Sequence, residues 1–108
     1  MAQTATQTHH QVRGMAVGRF FDNGTVAATA FTVGFQPRYV KVVNVDSGDM
    51  FEWYEGMAAA SACKTLGSTG VRSKVTSNGI TVSASGFTLG LDTDVLVSSE
   101  QISWMAHC

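Results

Sequence analysis

The chain has 108 residues, 44% of them apolar and 14% charged, and a formal net charge of −1 at pH 7. That length holds one domain, which buries somewhat over ~60% of the surface its unfolded chain exposes. Arg13, Arg19, Arg38, Lys41, Lys64, Arg72 and Lys74 are scattered along the chain, which argues against nucleic acid as a partner, because that affinity draws on clustered cations.

No apolar run approaches the ~20 residues of a membrane-spanning helix, so no membrane partner is expected. The first residues lack the basic start and apolar block of a secretory signal. The expectation is a protein made in the cytosol and kept there or released by lysis. Serine and threonine together number 22, a composition suited to short strands with hydroxyl-bearing outer faces.

Residues 1–11 (MAQTATQTHHQ) carry no large apolar side chain after Met1, so they read as a flexible arm, either a frayed terminus or a segment that gains order on a partner. Residues 12–108 read as a single β domain. A first strand spans 12–21 and ends at Asp22-Asn23-Gly24, a tight-hairpin signal, with 25–34 as its partner. Gln36-Pro37 breaks the ladder. Residues 38–45 follow with Val40, Val42, Val43 and Val45, an apolar run that reads as a strand covered on both faces.

After a turn at 46–49, residues 50–55 set Phe51 and Trp53 on one face against Glu52 and Tyr54 on the other. Residues 56–62 read as a loop or irregular strand. A turn at 67–70 precedes a short strand at 71–75, and Ser77-Asn78-Gly79 is a second hairpin signal. Ile80, Val82 and Ala84 then alternate with Thr81, Ser83 and Ser85, one face for the core and one for water. Segments 87–91, 95–97 and 101–105 complete eight or nine short strands. This spacing predicts an all-β, compact two-sheet sandwich, jelly-roll-like, of about 8 antiparallel strands.

The search for chemistry returns no catalytic, cofactor-binding or metal site. His9 and His10 lie in the arm and His107 near the end of the sequence. A Cys63–His107 pair lacks an orienting third group, and Cys63 and Cys108 read as two unrelated thiols. The carboxylate pairs Asp46/Asp49, Glu52/Glu55 and Asp92/Asp94 read as turn chemistry or solvated charge, and two carboxylates fall short of the six to eight oxygens calcium takes. The aromatics are more informative. Trp53 and Trp104 read as core and Tyr54 as partner-facing, and the interface candidates are Thr8, His9, His10, Trp53, Tyr54 and Trp104.

The stretches GFQPRYVKVVNV (34–45), EWYEGM (52–57), SGFTLGLDTDV (85–95) and SEQISWMA (99–106) resemble the head-decoration, or cement, proteins of short-tailed bacteriophages. The resemblance implies a β-sandwich or jelly-roll subunit on the outer surface of the virion. It also implies the major capsid protein as partner, a homodimer or homotrimer, and a stabilising role for the shell. Phage tail and fibre modules share the GFTLG phrase followed by acidic residues, so a tail or receptor-binding β module that recognises a host glycan is the alternative. A small enzyme is the third class. The arm generates a test: removing residues 1–11 leaves thermal unfolding unchanged while lowering occupancy on purified capsids in a sedimentation assay.

Overall fold

A computed structural model describes residues 14–108. The described chain is all β: β1 (Met15–Phe20), β2 (Thr29–Thr32), β3 (Tyr39–Asn44), β4 (Met50–Tyr54), β5 (Ser61–Thr65), β6 (Arg72–Ser83), β7 (Gly86–Leu89) and β8 (Ile102–His107). The arm expected over 1–11, with Thr8, His9 and His10, lies outside the described residues.

All eight strands pair antiparallel in one sheet, in the order β1-β8-β3-β4-β5-β6-β7-β2. Strands β3 to β7 run as a meander. β8 returns to lie between β1 and β3, and β2 adds to the far side of β7. The hydrogen-bonded ladder is continuous, where the sequence pattern predicts two sheets. It curls instead, so that aromatic side chains from its two ends meet. Phe31 of β2 lies 5.4 Å from Trp104 of β8 and 5.7 Å from Phe20 of β1, and Phe87 of β7 lies 5.3 Å from Trp104.

The period-two pattern decides which face turns inward. Val40 and Val42 of β3, Phe51 and Trp53 of β4, Ile80 of β6, Phe87 and Leu89 of β7, and Ile102 and Ala106 of β8 are all buried. Each large member of this row contributes about 1.5–3 kcal/mol by leaving water. Two glycines allow the curl to close. A Cβ on Gly18 would sit 2.5 Å from the Trp104 ring, and one on Gly86 would meet the Phe31 carbonyl. The indole thus lies flat over β1, and β7 approaches β2 closely.

Both Asn-Gly signals have other uses. At Asp22-Asn23-Gly24 the Asp22 carboxylate accepts the Gly24 N–H at 2.8 Å, making a side-chain turn. The chain then crosses to the other end of the sheet: β1 pairs with β8 and β2 with β7, not with each other. At Asn78-Gly79 the chain stays in β6. Ser61 of β5 opposes Ile80 while its neighbour Ala62 opposes Val75, so residues 76–79 form a wide bulge with Asn78 at φ 57°. A hairpin fails there because the flanks serve different neighbours, β5 before the bulge and β7 after it.

Three further expectations are corrected. Residues 95–97 are a loop rather than a strand, although Val95 and Leu96 plug the core. Ala84 stands in the β6–β7 turn, exposed. In β3 only one face is sealed, since Tyr39, Lys41 and Val43 are half-buried and Val45 is exposed.

Polar ties fix the loops. Asn44, fully buried, donates from Nδ2 to the Val95 carbonyl (3.1 Å) and to Glu100 (2.7 Å), and its Oδ1 accepts the N–H groups of Asp46 and Ser47. All its hydrogen-bonding capacity on both sides is engaged, which offsets its burial. Asp46 accepts the Gln101 N–H and Asp49 the Gly67 N–H, so these two carboxylates bind distant loops, while Asn44 and Ser47 supply the acceptors within the turn itself. Lys64 reaches Asp92 at 3.0 Å and Asp94 at 2.6 Å, with Lys64 and Asp92 largely buried. Burial alone works against the Lys64 charge, but its hydrogen bonds to Asp94 and Asp92 outweigh it and the pKa is raised. Lys64→Met leaves Asp92 sheltered without its ion-pair partner, although its Oδ1 still accepts the N–H groups of Asp94 and Val95. We expect it to lose about 2–4 kcal/mol in urea unfolding, below the full cost of a buried pair because Asp94 is half in water, and Lys64→Met/Asp92→Asn to recover part of that loss.

Candidate interaction face

The inner row leaves an outer row on each strand, and across β1, β8, β3 and β4 the outer row is the chemically distinctive surface. From β1 it takes Met15 and Val17, 51% and 67% exposed, and Arg19, with Phe21 just beyond the strand. From β8 it takes Ser103, Met105 and His107, from β3 Tyr39, Lys41 and Val43, and from β4 Met50, Glu52 and Tyr54. The registers Val17↔Met105↔Lys41↔Glu52 and Met15↔His107↔Tyr39↔Tyr54 place these side chains in rows across the sheet. A shallow depression of about 180 Å³ lies over β3 and β8, lined by Lys41, Val43, Ser103, Trp104 and Met105.

One corner of this face is a tyrosine–carboxylate cluster. The Tyr39 ring lies 5.2 Å from Tyr54 and 5.1 Å from His107. Both phenols donate to the same Glu52 oxygen, Tyr39 at 2.8 Å and Tyr54 at 3.4 Å. Arg72 closes the other Glu52 oxygen at 3.2 Å. Alternation in β3 and β4 puts all three strand residues on one side, and the β3–β4 register brings Tyr39 opposite Tyr54. Glu52, mostly shielded beneath the rings, is fixed as an acceptor. Glu55 instead pairs with Arg38 in the open, at 3.1 Å.

The sequence-derived candidates divide. Tyr54 is exposed and sits in the cluster, as its alternation predicts. Trp53, expected in the core and also a candidate for the interface, is core: it is only 7% exposed, so it has little surface to offer a partner, and its Nε1–H points at the Ala58 carbonyl, 3.5 Å away. Trp104 is partly buried, stacked among Phe31 and Phe87, with an Nε1–H that is buried and unpaired. Thr8, His9 and His10 lie outside the described residues. Sequence reasoning passed over Tyr39 and His107, whose signal was strand alternation read together with a register that only the fold supplies.

The remaining titrating groups do not converge elsewhere. Cys63 and His107 stand on β5 and β8, three strands apart, or roughly 14 Å at the usual spacing. Cys63 and Cys108 are free thiols. Asp92 and Asp94 face Lys64. Among the described residues no group of three His, Cys, Asp or Glu side chains is arranged to hold a metal ion, and no helix is long and apolar enough to cross a membrane. Compared with known protein families, curated proteins and solved structures, the chain matches none.

The cluster has a measurable signature. Burial first, then the hydrogen bond to Glu52 and its negative charge, push the Tyr39 phenol well above the ordinary value of 10.0. The folded state thus favours the neutral phenol, so the associated stability is whole below about pH 10 and is lost as the pH climbs beyond it. In Tyr54→Phe, where Tyr39 is the sole tyrosine, ultraviolet titration should show tyrosinate appearing only as the fold gives way. Adding Glu52→Gln should bring that ionisation down toward the ordinary range.

Proposed function

We propose that the chain is a bacteriophage capsid decoration protein that binds the outer surface of the assembled head and stabilises the major capsid protein lattice. The sequence resemblance over 34–106 motivates the reading, and the outer face of β1, β8, β3 and β4 is the observation that carries it. That face joins exposed apolar side chains to a fixed tyrosine pair, the side-chain chemistry of an adhesive protein surface. In this reading the two halves of the curled sheet act as the layers of a jelly-roll-like sandwich. The inner aromatics close the body while the outer row meets the shell. The protein works without catalysis, is made in the bacterial cytoplasm and ends on the virion exterior.

The energetics follow from linkage. A protein that binds the matured lattice and not its dissociated subunits stabilises the shell by mass action, about 2.7 kcal/mol per site at 100-fold excess over Kd. Dimers or trimers that span neighbouring capsid subunits gain further through effective concentration. Tyr54, rigid over Glu52 and Tyr39, is the anchor expected to contribute most.

The glycan-binding reading loses Trp53 to the interior and most of Trp104 to its aromatic neighbours, yet Tyr39, Tyr54 and His107 form a partly exposed ring cluster beside hydrogen-bonding groups, which keeps it as the second reading. Purified heads stripped of accessory proteins separate the two. On the decoration reading the chain co-sediments with heads and adds density to their outer surface in electron microscopy. Tyr54→Ala then weakens binding about tenfold or more with its unfolding curve unchanged. Failure to bind any head, combined with glycan binding that Tyr54→Ala removes, would transfer the assignment to the tail or receptor module.

A further inference from the structure

The two ends of the sheet differ in how they meet solvent. β2 is four residues long, and a very short edge offers little to a passing strand. β1 is six residues long, contains no proline, lysine or bulge, and among the described residues pairs only with β8. The Cys108 N–H donates to the Gly14 carbonyl, which sets the phase of that ladder: the backbone groups of Gly14, Ala16, Gly18 and Phe20 face β8. Those of Met15, Val17 and Arg19 therefore face outward from the sheet, with the groups of Phe21 continuing the alternation. The same alternation puts the Met15, Val17 and Arg19 side chains on the outer face, followed by Phe21. Met15, Val17 and Phe21 are 51%, 67% and 54% exposed.

We propose that this edge is the docking site for a second copy of the chain, β1 pairing with β1 antiparallel about a two-fold axis at Gly18. The sequence is self-complementary in that register. On the outer face Met15 opposes the second copy's Phe21, a thioether against an aromatic ring, and Val17 opposes Arg19. On the inner face Ala16 opposes Phe20, small against large, and glycine meets glycine at the axis. Each outward-facing backbone group meets another outward-facing group, as an antiparallel ladder needs.

Charge selects this register over its neighbour. An axis at Arg19 would set two guanidinium groups directly opposite each other, which is unfavourable. With the axis at Gly18 the arginines lie on a diagonal. The contact is small beside the ~800 Å² per partner of a standard stable interface, so the dimer is weak and concentration-dependent, with a dissociation constant of micromolar order. The inference does not depend on the capsid reading and is tested without capsids.

Sedimentation velocity across a concentration series tests it, with variants at Val17. The wild type passes from monomer to dimer as concentration rises. Val17→Pro removes an outward N–H that makes no bond to the described residues of the protomer, a substitution edge strands accept, and it leaves a monomer with near-unchanged thermal unfolding. Val17→Glu faces the second copy's Arg19 and tightens the dimer roughly three- to tenfold, a gain that disappears near 1 M salt. Val17→Lys faces the same arginine and weakens the dimer at least tenfold.

If Val17→Pro does not fold, the Glu and Lys variants decide the matter by their opposite signs. A wild type still monomeric at roughly 1 mM would overturn the proposal. So would equal weakening by Glu and Lys, a dimer that persists in folded Val17→Pro, or a trimer.

Discussion

The meeting of Phe31 and Phe87 with Trp104 is the contact on which the rest of this fold depends. A single eight-stranded antiparallel sheet buries nothing by itself. It gains a core only when its ends turn toward each other, and these three rings, 5.1–5.4 Å apart, are where the turn is completed. Gly18 and Gly86 matter because they let the rings settle onto backbone. Once the ends are held, one face of every strand is committed to the interior and the other is left to solvent or partners. The outer face is thus the residue of how the core was made.

Polar groups do a complementary task at the rim. Asn44, Asp46, Asp49 and the Lys64–Asp92–Asp94 group each tie a loop to a strand distant in sequence. The loop carrying Val95 and Leu96 illustrates the division of labour: apolar side chains fill the gap, and Lys64 with Asn44 holds the backbone that presents them. Buried charge of this type adds little net stability over an apolar substitute, but it penalises any arrangement that separates the partners.

Much of the all-β character was legible because local chemistry and burial agree. Ile80 and Val82, Phe51 and Trp53, and Ile102 with Trp104 keep strict alternation, and each pair lies in or packs against the core. What could not be read was partner choice. Asn23-Gly24 and Asn78-Gly79 are compatible with hairpins, yet the first lies where the chain leaves one end of the sheet for the other. The second bulges within one long strand. Turn residues report backbone conformation over three or four positions, whereas strand pairing is decided by which apolar faces meet across the whole sheet. The same limit explains the site. Tyr54 was visible as an outward aromatic, but Tyr39 and His107 join it only because β8 lies beside β3. Val95 and Leu96 showed as apolar without showing that a loop can deliver core residues.

The placement of β8 also bears on the order of events during synthesis. Strands β3 to β7 are joined by short local connections and can zip up sequentially as a meander. Among the described residues β1 has no neighbour to bond until Ile102–His107 has been made and threaded beside β3. β1 emerges before the meander and is nevertheless secured after it, and the slow step is the loop closure that brings β8 between β1 and β3 rather than any hairpin. During that interval the same unpaired β1 is open to strands of other molecules, so rapid completion of the chain protects the nascent domain from self-association.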